Sequence, residues 1–427
     1  MNNTRSGTGA AAAGRARARA GTLAATATAA VAVLALVGCG AERPGNGASS
    51  VHGLVVHEWG TFTSLQGSDG RVMDGLHHTE ELLPAFVHGR LASGDGLHKS
   101  MEALPEAVTQ KLETPVIYFY GDVPRATVDV EFPGGVISEW YPAATMMAPA
   151  VGSLTRIAEG RMTWDVGLRE LDAVKPPSVP ATSVWAPSRN VASLGVRAEG
   201  GGAAGATRED EGFIFYRGLG RFELPLKVET IADGMLRVSN GSAEDIPAAF
   251  LLHVHAAGGA VTELGRIPAG GSVIASPTPK ERDAALYAEH AGQVLRRALE
   301  ATGLYADEAK AMVDTWQRSY FQSYGLRVLY VVPRAWTDRL LPMRVTPAPT
   351  ELVRTLVGRV EVLTAAEELD ILGRVKAAAR AGQPLAPAEF GRFAEPKLRR
   401  ALELMPADDP ALRQFTQQLV TAANAMP

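Results

Sequence analysis

Residues 51–275 form a succession of short β-type runs broken at close intervals by Gly, Pro, Asn and Asp. The run VIYFY at 116–120 is β-branched and aromatic. In TVDVEF at 127–132, Val128, Val130 and Phe132 alternate with Thr127, Asp129 and Glu131, the period of a strand with one buried face. Runs of the same kind occupy 135–141, 162–168, 212–218, 224–230, 234–240, 249–255 and 271–276. Short strands at such spacing predict an antiparallel, sandwich-like body. The Gly-rich run at 197–212 reads as an exposed loop.

Beyond residue 277 the period changes. Thr278-Pro279-Lys280-Glu281 has the form of a capping box with proline at the first helical position, and predicts a helix to about Ala301. A second helix is expected over 307–323, then strands at 325–333 and 357–363. Thr364-Ala365-Ala366-Glu367 is another capping box, opening a helix to Ala381 with Gly382 as its stop. Helices at 389–405 and 410–425 close the chain. Strands first and helices later make the expected class α+β, a β-rich body at 51–277 with a helical and mixed part at 278–427 packed on it.

The first 38 residues have the pattern of an export signal. Arg5, Arg15, Arg17 and Arg19 precede the uncharged, apolar stretch 21–37. That stretch ends in Leu36-Val37-Gly38-Cys39, which resembles the bacterial lipobox, cut before a cysteine that carries lipid. The resemblance implies that Cys39 is lipidated, that 39–50 is a flexible tether, and that acyl chains hold the protein on a bilayer facing the periplasm or cell surface. Gly40 stands where aspartate would favour inner-membrane retention, which tilts the expectation to the outer membrane. Removing 38 of 427 residues leaves 389, and loss of the four arginines takes the formal charge from −4 to −8. That acidic balance argues against nucleic acid as partner. Cys39 is the sole cysteine, and its expected lipidation would leave no free thiol for a disulfide or a thiolate metal site.

The histidines are clustered. Six of nine fall between His52 and His98, with Glu58, Asp69, Asp74, Glu80 and Glu81 among them. His57-Glu58 lacks the second histidine of the zincin helix, and its surroundings read as strand. His253 and His255, two apart on an expected strand, would share a face about 6.6 Å apart. One reading joins His57, His253 and His255 as ligands of a divalent metal (Zn, Fe or Mn), with Glu58 as general base of a metal-assisted hydrolase. The other is a non-catalytic envelope protein that binds a protein, glycan or small-molecule partner. No G-x-S-x-G elbow, phosphate loop or EF-hand spacing is present. Trp316 and Tyr320, four apart, read as packing residues.

Several blocks together resemble an uncharacterised family of exported or lipid-anchored proteins from myxobacteria, planctomycetes and similar Gram-negative lineages. They include HEWGTFTS at 57–64, ETPVIYFYG at 113–121, FIFYRGLGRFELPL at 213–226 and GLRVLYVVPRAWTDRLLPM at 325–343. The resemblance implies an envelope address and one integrated mature unit, and brings no reaction, substrate or ligand set.

Overall fold

The structure is a computed structural model, and it describes residues 52–76, 82–90, 108–150, 159–199, 208–277 and 283–425. In chain order the first strands are β1 (Leu54–Gln66), β2 (His88–Gly89), β3 (Gln110–Leu112), β4 (Val116–Gly121), β5 (Arg125–Phe132), β6 (Gly135–Tyr141), β7 (Met146–Ala148) and β8 (Gly160–Arg169). They continue as β9 (Gly195–Glu199), β10 (Arg208–Glu211), β11 (Ile214–Gly220), β12 (Leu226–Thr230), β13 (Leu236–Asn240), β14 (Ile246–His255), β15 (Gly258–Ile267) and β16 (Ser272–Ala275). Then come α1 (Ala284–Glu300), α2 (Ala306–Thr315), β17 (Gly325–Val331), α3 (Arg334–Leu340), β18 (Met343–Thr346) and β19 (Glu351–Val362). The last elements are α4 (Ala365–Ala381), α5 (Ala394–Leu404) and α6 (Pro410–Asn424).

The class is α+β with a β-rich body, as the order of patterns predicts. The main sheet has ten strands in the order β15-β14-β17-β19-β1-β3-β11-β6-β2, with β4 paired to β1 and β11. Its pairs are antiparallel except β1 with β19, which run parallel from Val55 opposite Glu351 to Gln66 opposite Val362. A second antiparallel sheet, β10-β9-β8-β5-β18, lies against one face of the first. There Trp164 of β8 meets Tyr216 of β11, and Phe132 of β5 meets Phe62 of β1. Helix α2 covers the opposite face, where its Glu308 reaches His57 and Tyr120. Helices α4 to α6 enclose a smaller core around Leu65, Leu363, Val375, Leu398 and Leu419.

The surroundings of His57 read as strand, and β1 is one, with all thirteen residues buried. Covered on both sides, the strand must pair its polar side chains inside the protein. The change of element type near residue 277 is likewise no break in the sheet, because β17 and β19 supply two of its central strands. Strand β19 starts at Glu351, six residues before the expected start, where it pairs with Val55 of β1. The capping box at 278–281 lies outside the described residues; α1 is capped by Asp283, whose Oδ1 accepts from Leu286 N at 3.0 Å. The box at Thr364 opens α4 as expected, and Gly382 ends it at φ 61°.

Gly358 marks the tightest packing in the centre. It pairs with Tyr330, and a Cβ there would lie 2.2 Å from the tyrosine ring. The expected outcome for Gly358→Ala is a loss of about 1–3 kcal/mol in denaturant unfolding, the usual range for overpacking. A loss below about 0.5 kcal/mol, the level of an ordinary surface change, would contradict a ring fixed in that position.

Candidate functional site

Strand register distributes the sequence-derived candidates. His57 and Glu58 are adjacent on β1 and so point to opposite faces. His57 Nδ1 is 2.8 Å from Glu308 Oε2, and Glu308 Oε1 accepts from Tyr120 Oη at 2.7 Å. The His57 Nε2 is buried with no hydrogen-bond partner among the described residues, and the ring packs on Tyr305 and Tyr120. The pair therefore clips α2 onto β1. On the other face Glu58 accepts from Arg354 Nε at 2.6 Å and from the Tyr216 hydroxyl. Arg354 is the residue opposite Glu58 in the parallel ladder, and it also binds Asp338 of α3 at 3.0 Å. So placed, Glu58 is the counter-ion of a buried arginine.

His57 does not meet His253 and His255. The ladders align His253 with Leu326, Leu326 with Val362, and Val362 with Gln66. His253 is thus three strands and nine residues from His57, about 14 Å across and about 30 Å along, and on the opposite face. His253 Nδ1 instead stands 2.8 Å from the Pro277 carbonyl, and its ring centroid is 5.4 Å from that of His255. Among the described residues no three His, Cys, Asp or Glu side chains converge as a ligand set. His88 pairs with Glu209 at 2.9 Å beneath Trp140 and Tyr141. His52 sits at the surface beside Asp122. Cys39, His77, His78 and His98 lie outside the described residues.

The face that carries His57 continues into a denser group of charges. Thr63 of β1 lies opposite Lys111 of β3 and Arg359 of β19. Glu113, one residue past β3, accepts from Thr63 Oγ1 at 2.7 Å, Tyr320 Oη at 2.8 Å and Arg359 Nη1 at 3.4 Å, with Lys111 Nζ 3.6 Å away. Two residues along β19 from Arg359, Glu361 accepts from Arg359 Nε and Arg392 Nη2, each at 2.8 Å. Arg327, opposite Glu361 on β17, makes an ion pair with it at 2.9 Å.

The same arginines hold the chain beyond the end of α2. A helix was expected to run through Ser323, yet it ends at Thr315. Beyond it, three carbonyls of the following segment accept from side chains. Ser319 O accepts from Arg392 Nη1 at 2.7 Å and Arg359 Nη2 at 3.3 Å. Tyr320 O accepts from Arg327 Nη1, and Ser323 O from Arg327 Nη2 at 2.7 Å. These charge-assisted bonds, stronger than neutral ones, fix the segment that follows the helix. Trp316 and Tyr320 do pack as expected, stacked at 5.2 Å, and Arg359 lies 4.1 Å over the Tyr320 ring.

This clamped turn separates two clefts. One, of about 50 Å³, is walled by Leu83, Lys111, Glu113, Arg217, Trp316 and Tyr320. The other, of about 500 Å³, is walled by Tyr324, Glu361, Asp370, Arg374, Phe390 and Lys397 among others. Burial by itself would raise the Glu113 carboxyl, but Lys111 and Arg359 hold it down at about 2. Burial acts likewise on Glu361, which Arg327, Arg392 and Arg359 hold at about 2. Burial and the Glu113 charge together push the Tyr320 phenol well above its usual range. Sequence pattern alone does not single out Glu113, Arg327, Arg359 or Glu361. Their signal is faint: charges two apart inside apolar runs, as in VGRVEVL at 357–363, where a solvated strand face is not expected.

No family model matches the chain, and no curated protein matches it. Among solved structures, the Fcho1 Mu homology domain from Danio rerio with bound Eps15 peptide aligns over 74% of this chain and 99% of its own, at 7% identity and TM-score 0.28. The yeast delta-COP-I mu-homology domain complexed with Dsl1 WxWxV peptide covers 73% and 96%, at 7% identity and TM-score 0.23. Similarity of that order carries no functional argument.

Both glutamates have folded values below the unfolded carboxylate value of about 4.3. Their stabilising contribution is therefore complete above that value and is lost as pH falls towards about 2. Unfolding stability should drop across that window, and Glu361→Gln should flatten the drop while lowering stability at pH 7 by about 3–5 kcal/mol. An unchanged acid limb in the variant would contradict the assignment.

Proposed function

We propose that this chain is a lipid-anchored bacterial envelope protein with a periplasm-facing body that binds a ligand or partner, and that the larger cleft beside Tyr324 receives it. The observation that carries the binding reading is the clamped turn at 316–325. Its carbonyls are held by Arg327, Arg359 and Arg392, so the walls between the clefts are set before any ligand arrives. A cleft of about 500 Å³ is in the size range of small-molecule sites. Tyr324 at its mouth is 69% exposed, as expected of a contact residue rather than a core one. The paired charges favour recognition over proton transfer at Glu361 and Glu58, whose carboxylates are both committed to arginine. The address rests on the arginine-led apolar stretch ending at Cys39.

Two experiments test the two halves. In a Gram-negative host fed an alkyne fatty acid, the full chain should take up label and sediment with membranes, and Cys39→Ala should do neither. Equal labelling of the variant would remove the lipoprotein reading. For the cleft, a photo-crosslinking residue at Tyr324 should give a discrete adduct in intact envelopes. The same residue at exposed Leu286 on α1 serves as control. Identical patterns from both positions would remove the cleft as the binding site.

A further inference from the structure

Among the described residues, Lys397 is the one lysine in the wall of the larger cleft. It is held on α5 (Ala394–Leu404), and its Nζ donates to the Phe390 carbonyl at 2.9 Å. Its surroundings are mixed in charge. Glu367 of α4 and Glu361 of β19 face it as carboxylates, and Arg392 and Arg374 face it as cations. Asp370 and Glu389 line the same cleft, and Arg374 is itself drawn to Glu389 at 3.3 Å and lies over the Phe390 ring. Burial is the largest influence on the Lys397 ammonium and lowers its pKa, assisted by the two arginines and opposed by the two glutamates. A lysine that is desolvated beside other cations keeps more of its amine neutral near pH 7, and the neutral amine is the nucleophile.

We infer that Lys397 is a carbonyl-reactive lysine, and that the cleft between β19, α4 and α5 captures small aldehydes or keto acids as an imine on its Nζ. The amine lone pair attacks the carbonyl carbon, and a C–N bond forms. The carbonyl oxygen then leaves with the two amine hydrogens as water, giving C=N with no change of oxidation state. The cleft of about 500 Å³ has room for such a molecule beside the lysine. Arg374 is the nearby cation that would face a carboxylate on the same molecule.

The inference rests on the same cleft as the binding reading but is tested by chemistry rather than by partner capture. The full chain is treated at pH 7 with glyoxylate and cyanoborohydride, which turns the imine into a stable carboxymethyl group, and sites are mapped by peptide mass spectrometry. Lys397 should be labelled at least tenfold faster than Lys227 and Lys310, both largely exposed. The preference should vanish when the chain is unfolded in guanidinium before labelling. In Arg374→Gln the Lys397 rate near neutral pH should fall, because a cation that keeps the amine neutral has been removed. Lys397 labelling no faster than that of Lys227 would overturn the inference. So would a preference that persists in the unfolded chain. If the Tyr324 adduct forms while Lys397 is unreactive, only the imine chemistry fails. If Lys397 reacts selectively but Tyr324 captures nothing, the partner-binding reading fails instead.

Discussion

The parallel pairing of β1 with β19 is the constraint on which the rest of the structure depends. Both strands are almost wholly buried, and both carry charges into that environment. An isolated buried charge is costly, so each must find its partner at a fixed place. Glu58 finds Arg354 directly across the ladder. Thr63 and Arg359, paired in the same ladder, both converge on Glu113. A slip of one residue would send Glu58 opposite Val353 or Thr355 and turn every other side chain to the wrong face. Apolar burial supplies the drive to close this sheet, and the charges select one register among those that burial alone would allow.

The two faces of the pair serve different purposes. On one, Glu58, Arg354, Tyr216 and Asp338 tie the main sheet to α3 and to the surroundings of the second sheet. On the other, Arg327, Arg359 and Glu361 reach out of the sheet, and with Arg392 they grip the backbone that follows α2. The clefts exist because that backbone does not continue as helix. Ion pairs in the centre of the sheet thus determine the shape of the surface above it.

Much of this architecture is legible in the sequence. Strand-period runs, capping boxes and stop glycines locate most elements, and β6 and α4 match their expected ranges. What local pattern cannot show is which strands become neighbours. Alternation marks β1 as a strand but cannot show that a helix and a second sheet cover both of its faces. His57, His253 and His255 were grouped by chemistry, and the ladder places them on opposite faces. Helix α2 reads as longer than it is, and the arginines that fix the segment after it, Arg327, Arg359 and Arg392, are distant in sequence or lie beyond the next turn. The network around Glu113 and Glu361 was missed for the same reason, since pairing between remote strands leaves only a faint mark on either.

The central ladder also has a meaning for the order of events as the chain is made. Val55 is matched with Glu351, so the strand that is nearly first must wait for one that is nearly last. Contacts of such long range are entropically slow to form, and here they are the ones that neutralise the buried charges. An N-terminal fragment ending before residue 351 would carry Glu58 and Thr63 with no β19 to face them. The central ladder therefore cannot close until almost all of the body has been synthesised.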